Sequence, residues 1–81
     1  MNIIVYTKTG CPWCNDALAF LRSNNIPFEN REVLSSPAFF EELKEKSKQT
    51  KTPTFDIDGD IMPDSDVDQL REYLVSKKVI E

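Results

Sequence analysis

The residues best suited to chemistry are two cysteines, Cys11 and Cys14, with Pro12 and Trp13 between them. The chain has no histidine and no third cysteine, so one copy supplies only two of the four ligands that a structural zinc site usually requires. A disulfide between cysteines this close in sequence closes almost no loop and removes little entropy from the unfolded chain. The pair therefore predicts thiol–disulfide redox chemistry.

The elements around the cysteines predict which of the two is reactive. Residues 3–6 are β-branched or aromatic and predict a buried strand, and an apolar face at helical spacing predicts a helix over about 12–24. Cys11 then lies at the N-terminus of that helix, where free N–H groups and the positive end of the dipole favour the thiolate. The charge of Lys8 is expected to add to this effect. Cys11 is thus the expected attacking cysteine, and Cys14, one turn further and less exposed, the resolving one.

The remaining elements complete an α/β pattern. A second strand is predicted from Ile26 to Val33, a helix begins with Ser36 and Pro37, and strands follow near 54–57 and 61–62. Ser65 or Asp66 is expected to cap a last helix through a capping box over 66–69. The order β-α-β-α-β-β-α predicts a single domain over 1–81, with a central four-stranded mixed sheet flanked by three helices.

A second functional element is expected at Thr52 and Pro53, just before the third strand. A proline at this position favours a cis peptide bond, which costs little before proline. Because the third strand is expected beside the first, the backbone N–H and C=O of Thr52 would then point toward the cysteines. These groups would be free to pair with a peptide-like substrate.

Composition narrows the possible partners. Ten Lys and Arg residues against fourteen Asp and Glu give a net charge of −4, which argues against nucleic-acid binding. No apolar run approaches the roughly 20 residues of a membrane-spanning helix, and the first residues lack the features of a secretory signal, so a cytoplasmic location is expected.

The aspartates over 56–68 lack the spacing and the closing glutamate of an EF-hand loop, so no metal site is expected. Lys44, Lys46, Lys48 and Lys51 are expected to form a solvated face.

Three segments together resemble the glutaredoxins, which are small dithiol members of the thioredoxin superfamily. They are the Tyr6–Cys14 segment around the cysteines, the Thr52–Pro53 pair, and the Gly59–Asp66 loop before the last helix. They occur in the family's order and at suitable separations, and the resemblance covers nearly the whole chain. It implies a thioredoxin-like fold and the reduction of disulfides, particularly of mixed disulfides with glutathione.

The resemblance also implies roles for individual residues. Cys11 would carry a glutathionyl intermediate, Lys8 would meet the glycine carboxylate of glutathione, and the Thr52 backbone would pair with its cysteinyl residue. Ser65 and Asp66 would hold the γ-glutamyl end, since helix-end N–H groups accept a carboxylate and Asp66 offsets the ammonium. The roles complete a predicted site of Cys11, Cys14, Lys8, Trp13, Thr52, Pro53, Ser65 and Asp66, with Trp13 expected to contact substrate.

Some positions depart from the family's usual residues and leave alternatives open. Trp13 stands in place of Tyr or Phe, Thr52 in place of an apolar residue, and Pro63–Asp64 in place of a glycine pair. Asp64 adds negative charge beside the expected γ-glutamyl carboxylate.

The favoured function is a monomeric, glutathione-coupled oxidoreductase with no bound cofactor and glutathione as co-substrate. One alternative is a redoxin that is reduced by a flavoprotein of the thioredoxin-reductase type and supplies electrons to ribonucleotide reductase. A third is a dimer bridging an iron–sulfur cluster.

Overall fold

The computed structural model describes residues 1–80 and shows strands and helices in the predicted order β-α-β-α-β-β-α. The elements are β1 (Ile3–Thr7), α1 (Pro12–Ser23), β2 (Glu29–Glu32), α2 (Pro37–Ser47), β3 (Thr54–Ile57), β4 (Asp60–Met62) and α3 (Val67–Ser76). None of the helices in the described part of the chain is long and apolar enough to cross a membrane.

The four strands form one mixed sheet in the order β2-β1-β3-β4. β1 runs parallel to β2 and antiparallel to β3, and β4 returns antiparallel to β3. Tyr6, near the end of β1, pairs with Thr54 at the start of β3. This register brings the segment before β3 next to the turn that follows β1.

Helices cover both faces of the sheet because β1 is apolar on both sides. Ile3 and Val5 pack with residues of α1 and α3, whereas Ile4 and Tyr6 pack with α2. The alternation follows from the pleat of a strand, in which successive side chains point to opposite faces. A strand buried on both faces gives the site a rigid base, since the loop carrying Cys11 extends directly from it.

The helix starts follow the predicted capping residues. Ser36 caps α2, and its hydroxyl accepts a hydrogen bond from the Phe39 N–H at 3.4 Å. Asp66 caps α3 through a capping box, in which the Asp66 carboxylate accepts from the Gln69 N–H and the Gln69 side chain accepts from the Asp66 N–H, each at 2.9 Å. Such caps satisfy N–H groups that lack a partner inside the helix.

Two sequence predictions are wrong in detail. The second strand spans Glu29–Glu32 and not Ile26 to Val33, and Ile26 lies in the turn that closes the C-terminus of α1. Asn25 adopts a left-handed conformation (φ 55°), and the Ile26 N–H donates to the Leu21 carbonyl, as in a Schellman motif. Lys46 does not lie on a solvated face. Its ammonium donates to the Asp56 carboxylate and to the hydroxyl of Tyr6, each at 2.8 Å.

Candidate active site

A cleft of about 500 Å³ lies between the turn after β1, the segment before β3 and the start of α3. The predicted site residues that line it are Lys8, Cys11, Trp13, Thr52, Pro53, Ser65 and Asp66. Cys14, the remaining one, is buried in the adjacent first turn of α1. The fold thus brings together three segments that are far apart in sequence, as predicted.

Cys11 caps helix α1 with its own sulfur. Its backbone is extended, and its Sγ accepts a hydrogen bond from the Cys14 N–H at 3.3 Å. The hydroxyl of Thr52 donates to the same sulfur at 3.8 Å. Partial burial raises the pKa of Cys11, but hydrogen bonds from the Cys14 thiol and N–H, the Thr52 hydroxyl and the Trp13 N–H outweigh it and lower the pKa below its ordinary value.

Cys14 has the opposite character. Its side chain is buried, and burial is the main reason that its pKa rises to about 11. The hydrogen bond that it shares with Cys11 raises the pKa further, because the Cys14 thiol donates to the Cys11 sulfur and so stays protonated. At neutral pH the pair therefore combines an accessible, acidic thiol with a buried thiol that retains its proton. This is the asymmetry predicted from the sequence.

Lys8 contributes both its backbone and its side chain to the site. The Lys8 carbonyl shapes the turn, since it accepts the Cys11 N–H at 3.1 Å. The half-buried side chain of Lys8 lines the cleft, where it can meet an anionic group of a substrate.

The segment before β3 has the expected conformation. The Thr52–Pro53 peptide bond is cis, and the Thr52 carbonyl oxygen lies 3.8 Å from the Cys11 sulfur. Within residues 1–80, no backbone group pairs with the Thr52 N–H or C=O. Pro53 is buried, and its carbonyl accepts the Ser65 N–H at 3.0 Å, which ties this segment to the loop before α3.

The far end of the cleft is formed by the residues before and at the start of α3. Ser65 is buried, and its hydroxyl donates to the Pro63 carbonyl at 3.2 Å, so both of its donors are used inside the protein. Asp66 is exposed at the N-terminus of the helix. Lys51, which was expected on a solvated face, also lines the cleft.

Two further residues, Asp64 and Gln69, complete this end. Gln69 was expected only as a capping residue, and no sequence signal marks it as facing a cleft. Gln69 lines the cleft because it lies in the first turn of α3, and the start of that helix borders the cleft. Asp64 stood out in the sequence for its charge, and the structure places it on the cleft wall.

A comparison with known proteins matches residues 3–62 to the glutaredoxin family model. The chain belongs to the glutaredoxin family. Among curated relatives, it is 37% identical over 60 residues to an uncharacterized glutaredoxin-like 8.6 kDa protein in the rubredoxin operon of Clostridium pasteurianum, covering 74% of this chain and 80% of that protein. It is 35% identical over 58 residues to glutaredoxin 3 of Escherichia coli K12, covering 72% of this chain and 70% of the relative.

Solved structures support the same assignment. The crystal structure of the thioredoxin-like protein BC3987 superimposes with a TM-score of 0.80 at 31% identity, covering 86% of this chain and 96% of that one. The four-stranded mixed sheet with its three helices is thus a thioredoxin-like fold, as predicted. Family membership supports thiol–disulfide oxidoreductase chemistry, and the Cys11–Cys14 pair fits a redox-active motif.

Proposed function

We propose that the protein reduces disulfides by dithiol exchange and is returned to the reduced state by glutathione. The observation that carries the proposal is the sulfur of Cys11, which is accessible in the cleft, has a lowered pKa and lies beside a buried thiol of raised pKa. The thiolate is the attacking species in thiol–disulfide exchange, so a group of this kind is suited to the first step.

In that step the Cys11 thiolate attacks one sulfur of a substrate disulfide. The substrate S–S bond breaks, a mixed disulfide forms between Cys11 and one half of the substrate, and the other half leaves as a thiolate that takes a proton from solvent. The Thr52 backbone is suited to binding the peptide groups next to the substrate cysteine, since no backbone group of residues 1–80 pairs with its N–H or C=O and its carbonyl oxygen lies 3.8 Å from the reacting sulfur.

In the second step Cys14 resolves the mixed disulfide. The Cys14 thiol gives up its proton, attacks the Cys11 sulfur and displaces the second half of the substrate as a thiol. The protein then holds a Cys11–Cys14 disulfide, having given two electrons to the substrate. Two glutathione molecules restore the dithiol in two exchanges, and they leave as one molecule of oxidised glutathione.

Glutathione fits the cleft by the distribution of polar groups along it. Lys8 offers a cation for the glycine carboxylate, and Thr52 offers backbone groups for the cysteinyl residue. At the α3 end, Asp66 offers a carboxylate for the γ-glutamyl ammonium, and Trp13 is 62% exposed on the rim and available for apolar contact. A peptide seated in this way presents its sulfur to Cys11.

Turnover of a glutathione mixed disulfide tests this proposal. The assay uses a peptide–glutathione disulfide with glutathione and glutathione reductase. We expect activity in the wild type, none in Cys11→Ser, and in Cys14→Ser retained deglutathionylation with lost reduction of protein disulfides. Ser23→Ala, a surface change at the end of α1, is the control for general effects of substitution. Activity that survives in Cys11→Ser would refute the proposal.

A second candidate reductant is favoured by Asp64. Its carboxylate lines the cleft beside the expected γ-glutamyl site. There it repels the γ-glutamyl carboxylate of glutathione, which would weaken glutathione as the electron donor. The same dithiol could instead be reduced by a flavoprotein of the thioredoxin-reductase type and pass electrons to ribonucleotide reductase. Comparing turnover with glutathione plus its reductase against turnover with thioredoxin reductase separates the two donors.

A further inference from the structure

The α3 end of the cleft carries a net negative charge. Asp64 and Asp66 place two carboxylates on its wall, and Lys51 supplies one ammonium, 4.0 Å from the Asp64 carboxylate. The Lys51 and Asp64 side chains are 75% and 52% exposed, so their ion pair is weakened by solvent. Even so, a substrate carboxylate would have to compete with Asp64 for this cation.

Three N–H groups just before and within the first turn of α3 are already bonded within the protein. The Gln69 N–H donates to the Asp66 carboxylate, and the Asp66 N–H donates to the Gln69 side chain. The Ser65 N–H donates to the Pro53 carbonyl. A carboxylate that enters this end of the cleft therefore meets two like charges and finds these three donors occupied.

The backbone holds Asp64 in this position. Its φ of 48° is left-handed, and its N–H donates at 3.3 Å to the hydroxyl of Thr54, which is fully buried in β3. Asparagine and aspartate are the non-glycine residues that adopt this conformation most readily. Exchanging Asp64 for asparagine thus removes the charge and keeps the backbone.

We propose that Asp64 determines which substrate charge the site accepts. Disulfides that present a basic group at the α3 end are favoured over those that present a carboxylate there. The favoured class includes protein disulfides with Lys or Arg next to the attacked cysteine. This inference rests on the proposed disulfide reduction and names a substrate class for it.

Three small symmetric disulfides that differ in their end groups test the inference. They are cystamine with amines, hydroxyethyl disulfide with hydroxyls, and dithiodipropionic acid with carboxylates. Reduced protein is mixed with each at low ionic strength, and oxidation of the cysteine pair is followed by Trp13 fluorescence. In each reaction Cys11 and Cys14 lose two electrons and two protons, and the disulfide becomes two thiols. Each rate is divided by that of a neutral free thiol with the same compound, which removes intrinsic reactivity.

The wild type should prefer the amine over the carboxylate, and Asp64→Asn should lose most of that preference. One unit charge about 6 Å away in water changes each rate by about threefold in opposite senses, so the ratio should fall by about tenfold. Asp68→Asn is the matched control. It removes the same charge from the first turn of α3, but Asp68 is 80% exposed, pairs with Arg71 and does not line the cleft.

The possible results separate this inference from the proposed function. A ratio that falls in Asp64→Asn and stays within twofold of wild type in Asp68→Asn supports it. Equal ratios in the wild type and Asp64→Asn overturn it while leaving disulfide reduction intact, and so does an equal fall in both variants, which would reflect overall charge. A protein that reduces none of the three compounds overturns the proposed function and this inference together.

Discussion

Replacing Thr52 with valine should raise the pKa of Cys11, because it removes a hydrogen-bond donor to the thiolate and keeps the shape of the side chain. The donor–sulfur distance of 3.8 Å is long. A well-formed hydrogen bond to a charged group contributes about 1.5–3 kcal/mol, and at this distance we take about a third of that, or about 0.5–1 kcal/mol. One pKa unit corresponds to about 1.4 kcal/mol, so the expected rise is about 0.4–0.7 units.

Alkylation of the fully reduced protein by iodoacetamide across a pH series measures this shift. The pKa of Cys14 is about 11, so the transition at lower pH reports the first ionisation of the pair, which is centred on Cys11. Thr52→Ser keeps a hydroxyl at the same position and is the control. An unchanged transition in Thr52→Val would refute the role of this hydroxyl, and so would an equal shift in both variants.

The same substitution should change the rate of disulfide attack in a pH-dependent sense. Below the pKa of Cys11, a rise of about 0.5 units lowers the thiolate fraction about threefold. A more basic thiolate is also more nucleophilic, with a Brønsted coefficient of about 0.4–0.5, and this returns part of the loss. We expect Thr52→Val to react about twofold more slowly at acid pH and about 1.5-fold faster at alkaline pH. A variant slower at every pH would indicate misplacement of the sulfur instead.

Three other predictions concern the site and its supports. Cys14→Ser should accumulate a stable mixed disulfide at Cys11 when a protein disulfide is added, visible as one added mass per chain. Asp66→Ala should cost about 1 kcal/mol of unfolding free energy by denaturant titration, and Asp66→Asn should recover most of it. Desolvation raises the pKa of Glu32, but hydrogen bonds from Thr9 and Ser35 outweigh this effect and lower the pKa to about 2. Its stabilising effect is therefore complete above about pH 4.5 and is lost as pH falls toward 2, so Glu32→Gln should narrow the stability difference between pH 7 and pH 3.

Much of the fold was predictable because it is encoded in local patterns. The alternation in β1, the apolar face of α1, and the caps at Ser36 and Asp66 each specify an element from a few neighbouring residues. The start of β2 was predicted wrongly for a related reason. Ile26 is apolar and buried, as a strand residue would be, but it is buried by packing at the end of α1. Burial alone does not distinguish these two situations.

The surroundings of Lys46 were not predictable from local sequence. Lys46 alternates with other charged residues, which is typical of a solvated helix face, and nothing in α2 itself indicates a partner. Its contacts with Tyr6 and Asp56 depend on α2 crossing the face of the sheet at one position along β1 and β3. The Tyr6 hydroxyl also donates to Glu42 at 2.9 Å, so the polar group of this buried residue both donates and accepts a hydrogen bond.

The reactivity of Cys11 shows the same division between local and distant information. A position at the start of a helix was readable from the sequence, and it already favours a thiolate. The contribution of the Thr52 hydroxyl was not readable in this way, because it depends on a distant segment coming within about 4 Å of the sulfur. Thr52 reaches it only because β3 lies beside β1, although forty-one residues separate it from Cys11.

The spacing of the two cysteines follows from the geometry of a helix start. An N-cap side chain accepts a hydrogen bond from the N–H three residues later, as Ser36 and Asp66 do in the other two helices of the described chain. Cys11 makes the same bond with Cys14, so the cap itself brings the second cysteine beside the first. The capping atom is a sulfur that the N–H and the helix dipole both favour as an anion. The hydrogen bond that caps α1 thus also stabilises the Cys11 thiolate, and the residue that donates it, Cys14, carries the second thiol of the pair.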